Sequence, residues 1–174
     1  MRSGPLFVTN TLLMSKETFI ILYNIRSAYN VGAIFRTAEA VGVNKIYLVG
    51  VTPCPHDRFG RANGQIAKTA LGAEKVVAWE YRKTLLPLIK KLKKERVEII
   101  ALEQDQKAID YRQLKPQSAW ALILGEETKG LSRSDLDKCD AIIEIPMRGE
   151  KESLNVSVAA GVALFKIIET LDIM

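Results

Sequence analysis

Short apolar, β-branched runs alternate with segments of helical periodicity along most of this chain. Most of these runs are apolar throughout, a pattern typical of parallel strands that are covered on both faces. Strand and helix alternation at this spacing indicates βαβ units, and therefore an α/β fold with a mainly parallel sheet flanked by helices. The predicted strands are 18–22, 45–49, 75–79, 97–102, 120–124 and 141–145, and the predicted helices are 31–41, 84–94, 132–138 and 155–171.

The chain has the length of a single domain. It contains 174 residues, of which 48% are hydrophobic, and a typical domain holds ~150 residues. Residues 1–16 show no clear period and are predicted to be an N-terminal tail, with Met14 as an alternative start. Residues 17–174 then form one domain, because no repeat or low-complexity linker divides them.

Several classes of protein are excluded by composition. No apolar run approaches the ~18 residues that span a bilayer, and the N-terminus lacks the apolar core of a signal peptide. The two cysteines, Cys54 and Cys139, do not have zinc-site spacing, and His56 is the one histidine. We therefore expect a cytoplasmic protein with no metal centre and no membrane partner.

The positive charge of the chain is concentrated on one predicted helix. Lysine and arginine number 25 against 20 acidic residues, and seven of these basic residues lie in 82–96. Leucine and isoleucine recur beneath them at helical spacing, which predicts an amphipathic helix with a basic outer face. A solvated surface and a nucleic-acid contact both agree with this pattern.

Three segments at strand ends are rich in polar residues and glycine, and ligands bind at strand ends in open α/β sheets. In the first, residues 24–36, Asn30 is a natural helix N-cap. Arg36 follows among apolar neighbours, where an arginine usually has an anionic partner. That partner is either a carboxylate of the protein core or a bound phosphate.

The second and third segments follow the last two predicted strands. Residues 125–132 have a Gly-x4-Gly frame, but Leu131 stands where a phosphate loop needs lysine, which excludes nucleoside triphosphate binding. The adjacent Glu126 and Glu127 suit hydroxyls, amines or a cationic ligand. In 145–157, Ser153 and Asn155 are natural capping residues before a helix rich in small side chains.

Together the three segments resemble the SpoU (TrmH-like) family of RNA ribose 2'-O-methyltransferases, within the SPOUT superfamily. Asn30, Gly32 and Arg36 are similar to its first motif, residues 122–131 to its second, and residues 145–157 to its third. The resemblance extends from Thr18 to Leu171. It implies a deep trefoil knot in the C-terminal part of the chain, an exception to the usual topology rules.

The resemblance also implies a cofactor, S-adenosylmethionine, and a set of catalytic residues. Arg36 takes the central role there, touching the RNA phosphate and helping to activate the 2'-hydroxyl. Because arginine stays protonated in proteins, Arg36 is expected to stabilise the developing alkoxide rather than to act as a base, and the resemblance does not identify the group that accepts the proton. The implied catalytic residues are Asn30, Arg36, Glu126, Ser153 and Asn155, and the cofactor-binding residues are Leu102, Gly125, Ile145, Met147 and Leu154.

Contact with tRNA or rRNA is expected from the segment 53–64 and the residues after it. Arg58, Arg61 and Lys68 are placed to follow phosphates, and Phe59 to stack on a base. An ordinary mobile loop is the alternative interpretation of this segment.

The family likeness further indicates a homodimer with an active site drawn from both chains. The small residues at 158–163 of the last helix point the same way. Two other functions remain as alternatives: methylation of an RNA base with the same cofactor, and RNA binding without catalysis by a knotted protein.

Overall fold

A computed structural model of the protein describes residues 17–172, so the predicted tail 1–16 and its Met14 lie outside the described residues. The described part forms one sheet of seven strands, and the prediction of an α/β fold with a parallel sheet is confirmed. The strands are β1 (Thr18–Tyr23), β2 (Lys45–Val49), β3 (Ala78–Arg82), β4 (Glu98–Leu102), β5 (Ile109–Asp110), β6 (Trp120–Leu124) and β7 (Ala141–Glu144).

Helices cover both faces of this sheet. Within residues 17–172, no helix combines the length and the hydropathy that spanning a bilayer requires. A short 3₁₀ turn follows β5. The helices are α1 (Ala28–Ala40), α2 (Gly64–Ala70), α3 (Ala73–Val76), α4 (Leu85–Lys94), α5 (Arg133–Leu136) and α6 (Val156–Asp172).

The paired strands all run parallel, in the order β3-β2-β1-β6-β4-β7-β5. β6 comes late in the sequence but lies between β1 and β4. In its pairing with β1, Leu122 lies beside Ile20. Because the strands are parallel, the loops that leave their carboxyl ends emerge at one edge of the sheet. Residues far apart in sequence therefore meet there.

Successive strand residues enter two separate cores, one on each face of the sheet. Ile20 and Leu22 face the core beneath α1, α2, α3 and α6, whereas Ile21 faces the core beneath α4 and α5. All three side chains are fully buried. Burial on both faces explains why these strands read as continuous apolar runs rather than alternating ones.

The basic helix α4 is amphipathic, as its sequence predicts. Two of its lysines make ion pairs, Lys93 with Asp140 at 2.6 Å and Lys91 with Glu95 at 4.0 Å. It covers the face of the sheet opposite α1 and α6. Its buried side is formed by Leu85, Leu88, Ile89 and Leu92.

The prediction of a third strand at 75–79 is wrong in position. Residues 73–76 form α3, which begins where Gly72 adopts a left-handed φ of 97° and donates its N–H to the Glu74 carboxylate. The strand itself runs from Ala78 to Arg82. A turn of helix buries Ala73 and Glu74, and this tertiary packing overrides the β propensity of the valines that follow.

Two further elements, α2 and β5, were absent from the sequence prediction. α2 begins at Asn63, whose side-chain oxygen accepts hydrogen bonds from the backbone N–H groups of Gln65 and Ile66. β5 has two residues and pairs only with β7. Both are short, so neither gives a periodic signal that a sequence can show.

Helix α1 is held closely against α2 at Gly32. A Cβ atom at this position would lie 2.1 Å from Oγ1 of Thr69 and 2.4 Å from the carbonyl oxygen of Ile66. The other side of α1 approaches α6, where a Cβ at Gly161 would lie 3.9 Å from the Thr37 methyl. The absence of a side chain at Gly32 therefore sets the position of α1 between its two neighbours.

We expect Gly32→Ala to destabilise the protein by about 1–3 kcal/mol, because the added methyl must displace the backbone of α2. Gly64→Ala is the matched control, since a Cβ there meets no atom within 4 Å. The control should be neutral or stabilise by up to about 1 kcal/mol through helix propensity. Urea unfolding followed by circular dichroism measures both, and equal stability of the two variants would contradict the close packing.

Candidate active site

A cleft of about 380 Å³ opens at the carboxyl ends of β4, β6 and β7. The loops that follow these strands, together with the start of α6, form its walls. Because these loops come from separate parts of the chain, the cleft exists only in the folded protein. Of the predicted site residues, it is lined by Leu102, Gly125, Glu126, Ile145, Met147, Ser153, Leu154 and Asn155. Their individual roles stay predictions.

The loop after β6 folds back on itself at two glycines. A Cβ at Gly125 would lie 2.7 Å from the carbonyl carbon of Gly130, so no side chain fits there. Gly130 itself has a φ of 61° and lies against the Glu103 carboxylate. That carboxylate accepts hydrogen bonds from the N–H of Leu131 at 2.8 Å and from that of Gln104 at 3.1 Å. The two glycines and Glu103 thus fix the shape of this wall.

A chain of side-chain hydrogen bonds joins three segments beside the cleft. The amide nitrogen of Asn30 donates to Oε1 of Glu127 at 3.1 Å. The amide nitrogen of Asn155 donates to the side-chain oxygen of Asn30, also at 3.1 Å. The side-chain oxygen of Asn155 accepts from the N–H of Ser157 at 2.8 Å, within the first turn of α6.

The direction of these hydrogen bonds follows from the carboxylate at one end. An ionised glutamate only accepts, so Asn30 must turn its NH₂ group toward Glu127. The carbonyl oxygen of Asn30 then faces Asn155, which must donate in turn. That leaves the Asn155 oxygen free to cap α6. One charge therefore orients both amides.

Glu127 also holds the beginning of α1. Its carboxylate accepts the backbone N–H groups of Arg26 and Ser27, each at 3.1 Å. Burial acts to raise the pKa of Glu127, but these N–H donors and Asn30 outweigh it, so its pKa lies below the usual value. A negative charge at this end of α1 is favourable for the helix dipole.

Of the two adjacent glutamates, Glu126 and not Glu127 was predicted to be a catalytic residue. Glu126 points elsewhere: it pairs with Arg26 at 3.6 Å and accepts the Thr128 hydroxyl at 3.3 Å. A signal was available, since the first turn of α1 has no acidic residue of its own and a carboxylate from another segment is favourable there. Sequence alone could not show which of two adjacent glutamates supplies it.

The interpretation of Asn30 as a helix N-cap is wrong. α1 begins three residues earlier than predicted, with Ser27 as the cap, and the Ser27 hydroxyl accepts the N–H of Asn30 at 3.3 Å. Asn30 therefore lies in the first turn, where its side chain is available to Glu127 and Asn155. Asn155, in contrast, does cap its helix while it also reaches Asn30.

Arg36 is exposed and lies outside the cleft. Within residues 17–172, no ion pair or hydrogen bond reaches its guanidinium group, so of the two alternatives, the pairing with a core carboxylate is wrong. Its apolar sequence neighbours Ile34 and Phe35 are fully buried, but they point away from it around the helix. Six residues separate Arg36 from Asn30, about 9 Å along the axis.

The charged residues that line the cleft are mostly acidic. Four glutamates contribute to it against a single lysine, Lys129, in the described lining. Such a surface favours a ligand with positive charge over a bare phosphate. Within the described residues, no group of three or more histidine, cysteine or acidic side chains is arranged to hold a metal ion. The four glutamates are Glu103, Glu126, Glu127 and Glu144.

The predicted RNA-contacting residues lie on another part of the same sheet edge. Arg58, Arg61 and Lys68 are exposed, and none of them lines the cleft. Phe59 is 67% exposed, and the guanidinium carbons of Arg58 and Arg61 lie 4.7 Å and 5.3 Å from its ring centroid. Asp57 pairs with Arg61 at 2.7 Å, so this segment is held by defined contacts.

Comparison with known proteins gives consistent results. The model of the SpoU rRNA Methylase family matches residues 17–165. The 23S rRNA (guanosine-2'-O-)-methyltransferase RlmB of Xylella fastidiosa is 36% identical over 149 residues, which are 86% of this chain and 57% of that protein. RlmB of Yersinia pestis is 34% identical over 90% of this chain and 62% of its own length. The chain thus spans less than two thirds of these relatives.

A solved structure shows the same fold. The AdoMet-bound rRNA methyltransferase of Sinorhizobium meliloti superposes with a TM-score of 0.76 at 27% sequence identity. The match covers 89% of this chain and 57% of that one.

We expect Glu127→Gln to lower the free energy of unfolding at pH 7 by about 1 kcal/mol, because the hydrogen bonds that the N–H groups of Arg26 and Ser27 donate to the charged carboxylate are weakened. Because the folded-state pKa of Glu127 is lowered, its contribution is present above its ordinary pKa of 4.5 and is lost as the pH falls further. The difference between wild type and variant should therefore shrink below pH 4.5 in urea titrations.

The neighbouring substitution Glu126→Gln is the matched control. It removes a carboxylate that accepts neither the N–H of Arg26 nor that of Ser27, so it should cost less at pH 7. A larger loss for Glu126→Gln than for Glu127→Gln would contradict the assignment of Glu127.

Proposed function

The chain belongs to the SpoU rRNA methylase family, and on that basis we propose that it transfers a methyl group from S-adenosylmethionine to a ribose 2'-hydroxyl of tRNA or rRNA. The observation that carries this proposal is the cleft at the ends of β4, β6 and β7. It gathers in one place every residue that the family resemblance implies for cofactor binding. The two RlmB relatives, both 23S rRNA (guanosine-2'-O-)-methyltransferases, agree with it.

The cleft suits this cofactor in size and in chemistry. Ligand sites typically measure roughly 300–1,000 Å³, and this one measures about 380 Å³. Leu102, Ile145 and Leu154 offer apolar side chains to a purine ring, and Gly125 lines the cleft without a side chain. The acidic lining favours the ammonium and sulfonium charges of the molecule. When bound, S-adenosylmethionine supplies an electrophilic methyl group.

The chain itself contributes position and charge. The hydrogen-bonded pair Asn30 and Asn155 holds the start of α6 beside α1, and Ser153 lies next to it on the cleft wall. In the proposed reaction Arg36 binds the RNA phosphate with its planar fork and stabilises the alkoxide that forms when the 2'-hydroxyl loses its proton. Positioning a weak nucleophile in this way is a large part of the catalysis.

We also propose that the chain is knotted as a deep trefoil. The sheet order supports this, because β6 is inserted between β1 and β4, which both precede it in sequence. β7 then lies on the far side of β4. Later segments thus pass among earlier ones at the place where the cleft is formed.

The proposal also includes a homodimer in which each active site combines residues of both chains. Three apolar residues form an exposed stripe along α6, Val158 at 51%, Val162 at 37% and Phe165 at 58%. Not all the small residues of 158–163 are available to a second copy, since Ala160 and Ala163 are fully buried in the chain's own core. A second copy against the stripe would cover it and bring Arg36, which lies outside its own cleft, to the cleft of the partner.

The reaction is tested with purified protein, radiolabelled S-adenosylmethionine, and bulk tRNA and rRNA. We expect cofactor binding by calorimetry in the absence of RNA, because the proposed contacts all lie within the cleft. After digestion of the RNA, mass spectrometry should show the label in a 2'-O-methyl nucleoside. A base-methylated nucleoside would support the alternative reaction, and RNA binding without transfer the alternative of a non-catalytic protein.

Shared sites are tested by mixing Arg36→Ala chains with Leu154→Glu chains. Each variant should be folded, since both side chains are exposed, and each should be inactive alone. If Arg36 serves the partner's cleft, random mixing restores one site in each mixed dimer, about a quarter of wild-type activity. If native mass spectrometry shows mixed dimers but activity does not recover, Arg36 acts on the cleft of its own chain and the shared site is contradicted.

A further inference from the structure

A second groove, of about 600 Å³, lies between the segment after β2 and the end of β3. Its lining combines aromatic rings, cations and side-chain hydrogen-bonding groups. None of its residues belongs to the cleft that is proposed to bind the cofactor. Among the residues that line it are His56, Arg58, Arg61, Asn63 and Tyr81.

Tyr81 presents a fixed aromatic surface to this groove. It lies on β3, and its side chain remains 47% exposed. Its hydroxyl donates a hydrogen bond to the carbonyl oxygen of Gly50 at 3.1 Å, which restrains the ring. A restrained and exposed aromatic ring loses little conformational freedom when a flat molecule stacks on it. The lining also includes His56, whose ring stacks on Trp79 with centroids 6.5 Å apart.

The groove also holds more positive than negative charge. The guanidinium groups of Arg58 and Arg61 both lie within 5.3 Å of the Phe59 ring centroid, so two like charges share one ring. One carboxylate, Asp57, neutralises only Arg61 and at the same time fixes the turn by accepting the N–H groups of Phe59 and Arg61. Arg58 keeps its charge unpaired within the described residues, which suits a phosphate.

The groove lies within reach of the cleft along the same edge of the sheet. The sheet order places β2 and β3 beyond β1, and the cleft begins at β6 on the other side of β1. At about 4.8 Å between neighbouring strands, the separation is on the order of 10–15 Å. The loop after β1 lies between them and carries Arg26, whose side chain is 74% exposed.

We propose that this groove holds an unpaired nucleotide of the RNA substrate, one that flanks the nucleotide to be methylated. Its base stacks on Tyr81, and its phosphate is bound by Arg58 and Arg61. An aromatic platform next to cations is the arrangement by which proteins hold single-stranded nucleic acid. The inference rests on the proposed function, because it names a subsite for the same substrate.

Fluorescence anisotropy with a labelled 12-nucleotide oligouridylate, and with a 12-base-pair RNA duplex, tests the groove. We expect Tyr81→Ala to weaken binding of the single strand roughly tenfold, within the range for loss of one stacked base. Tyr81→Phe retains the ring and should bind within about twofold of wild type. Arg58→Gln should reduce the slope of log affinity against log salt concentration by about one.

Lys90→Gln is the charge-matched control, since it removes one exposed cation from α4 on the opposite face of the sheet. It should leave the affinity of the single strand unchanged. Wild-type affinity in Tyr81→Ala and Arg58→Gln would overturn the proposal, as would equal weakening of single strand and duplex. A wild-type protein that binds no single-stranded RNA would overturn it too.

A parallel measurement separates this outcome from failure of the proposed function. S-adenosylmethionine binding by calorimetry should be unchanged in Tyr81→Ala, because Tyr81 does not line the cleft. Methyl transfer to bulk RNA should show a raised KM at nearly constant kcat. If wild type binds no cofactor and transfers no methyl group, the proposed function fails. If both activities are normal and the variants match wild type, only the groove assignment fails.

Discussion

The side-chain hydrogen bonds that run from Glu127 through Asn30 to Asn155 hold the candidate active site together. Asn30 and Glu127 are 97 residues apart, and Asn30 and Asn155 are 125 apart, so these contacts close the site across most of the chain. One ionised carboxylate fixes the orientation of both amides. The start of α1, the loop after β6 and the start of α6 depend on this arrangement for their relative positions.

The parallel sheet makes these contacts possible, and the packing of α1 against its neighbouring helices continues away from the cleft. Each of the three segments emerges from the carboxyl-terminal edge of the sheet, next to the strands it connects. α1 packs closely on α2 at Gly32 and lies beside α6, so its first turn borders the cleft while Arg36 lies farther along. The same edge continues to the groove at Tyr81, so the proposed cofactor site and the proposed RNA subsite lie in one row.

Much of the fold could be predicted from the sequence, because strands buried on both faces leave continuous apolar runs. The failures are local and have physical causes. The third strand was misplaced because Ala73 and Glu74 are buried in a helix turn that valine-rich sequence does not indicate. The surroundings of Arg36 were inferred from its apolar neighbours in sequence, but adjacent residues on a helix point in different directions. Glu126 and Glu127 differ only in side-chain direction, which the fold decides.

A double-mutant cycle on Asn30 and Asn155 tests the central interaction most directly. Each is changed to alanine singly and together, and the free energy of unfolding is measured in urea. The Asn155→Ala substitution also removes the capping hydrogen bond that the Ser157 N–H donates to Asn155. This loss is the same with and without Asn30, so it cancels in the cycle. The structure predicts a coupling of about 0.5–3 kcal/mol, the range for residues in one hydrogen-bond network. Strict additivity of the two substitutions would contradict a direct link between α1 and α6.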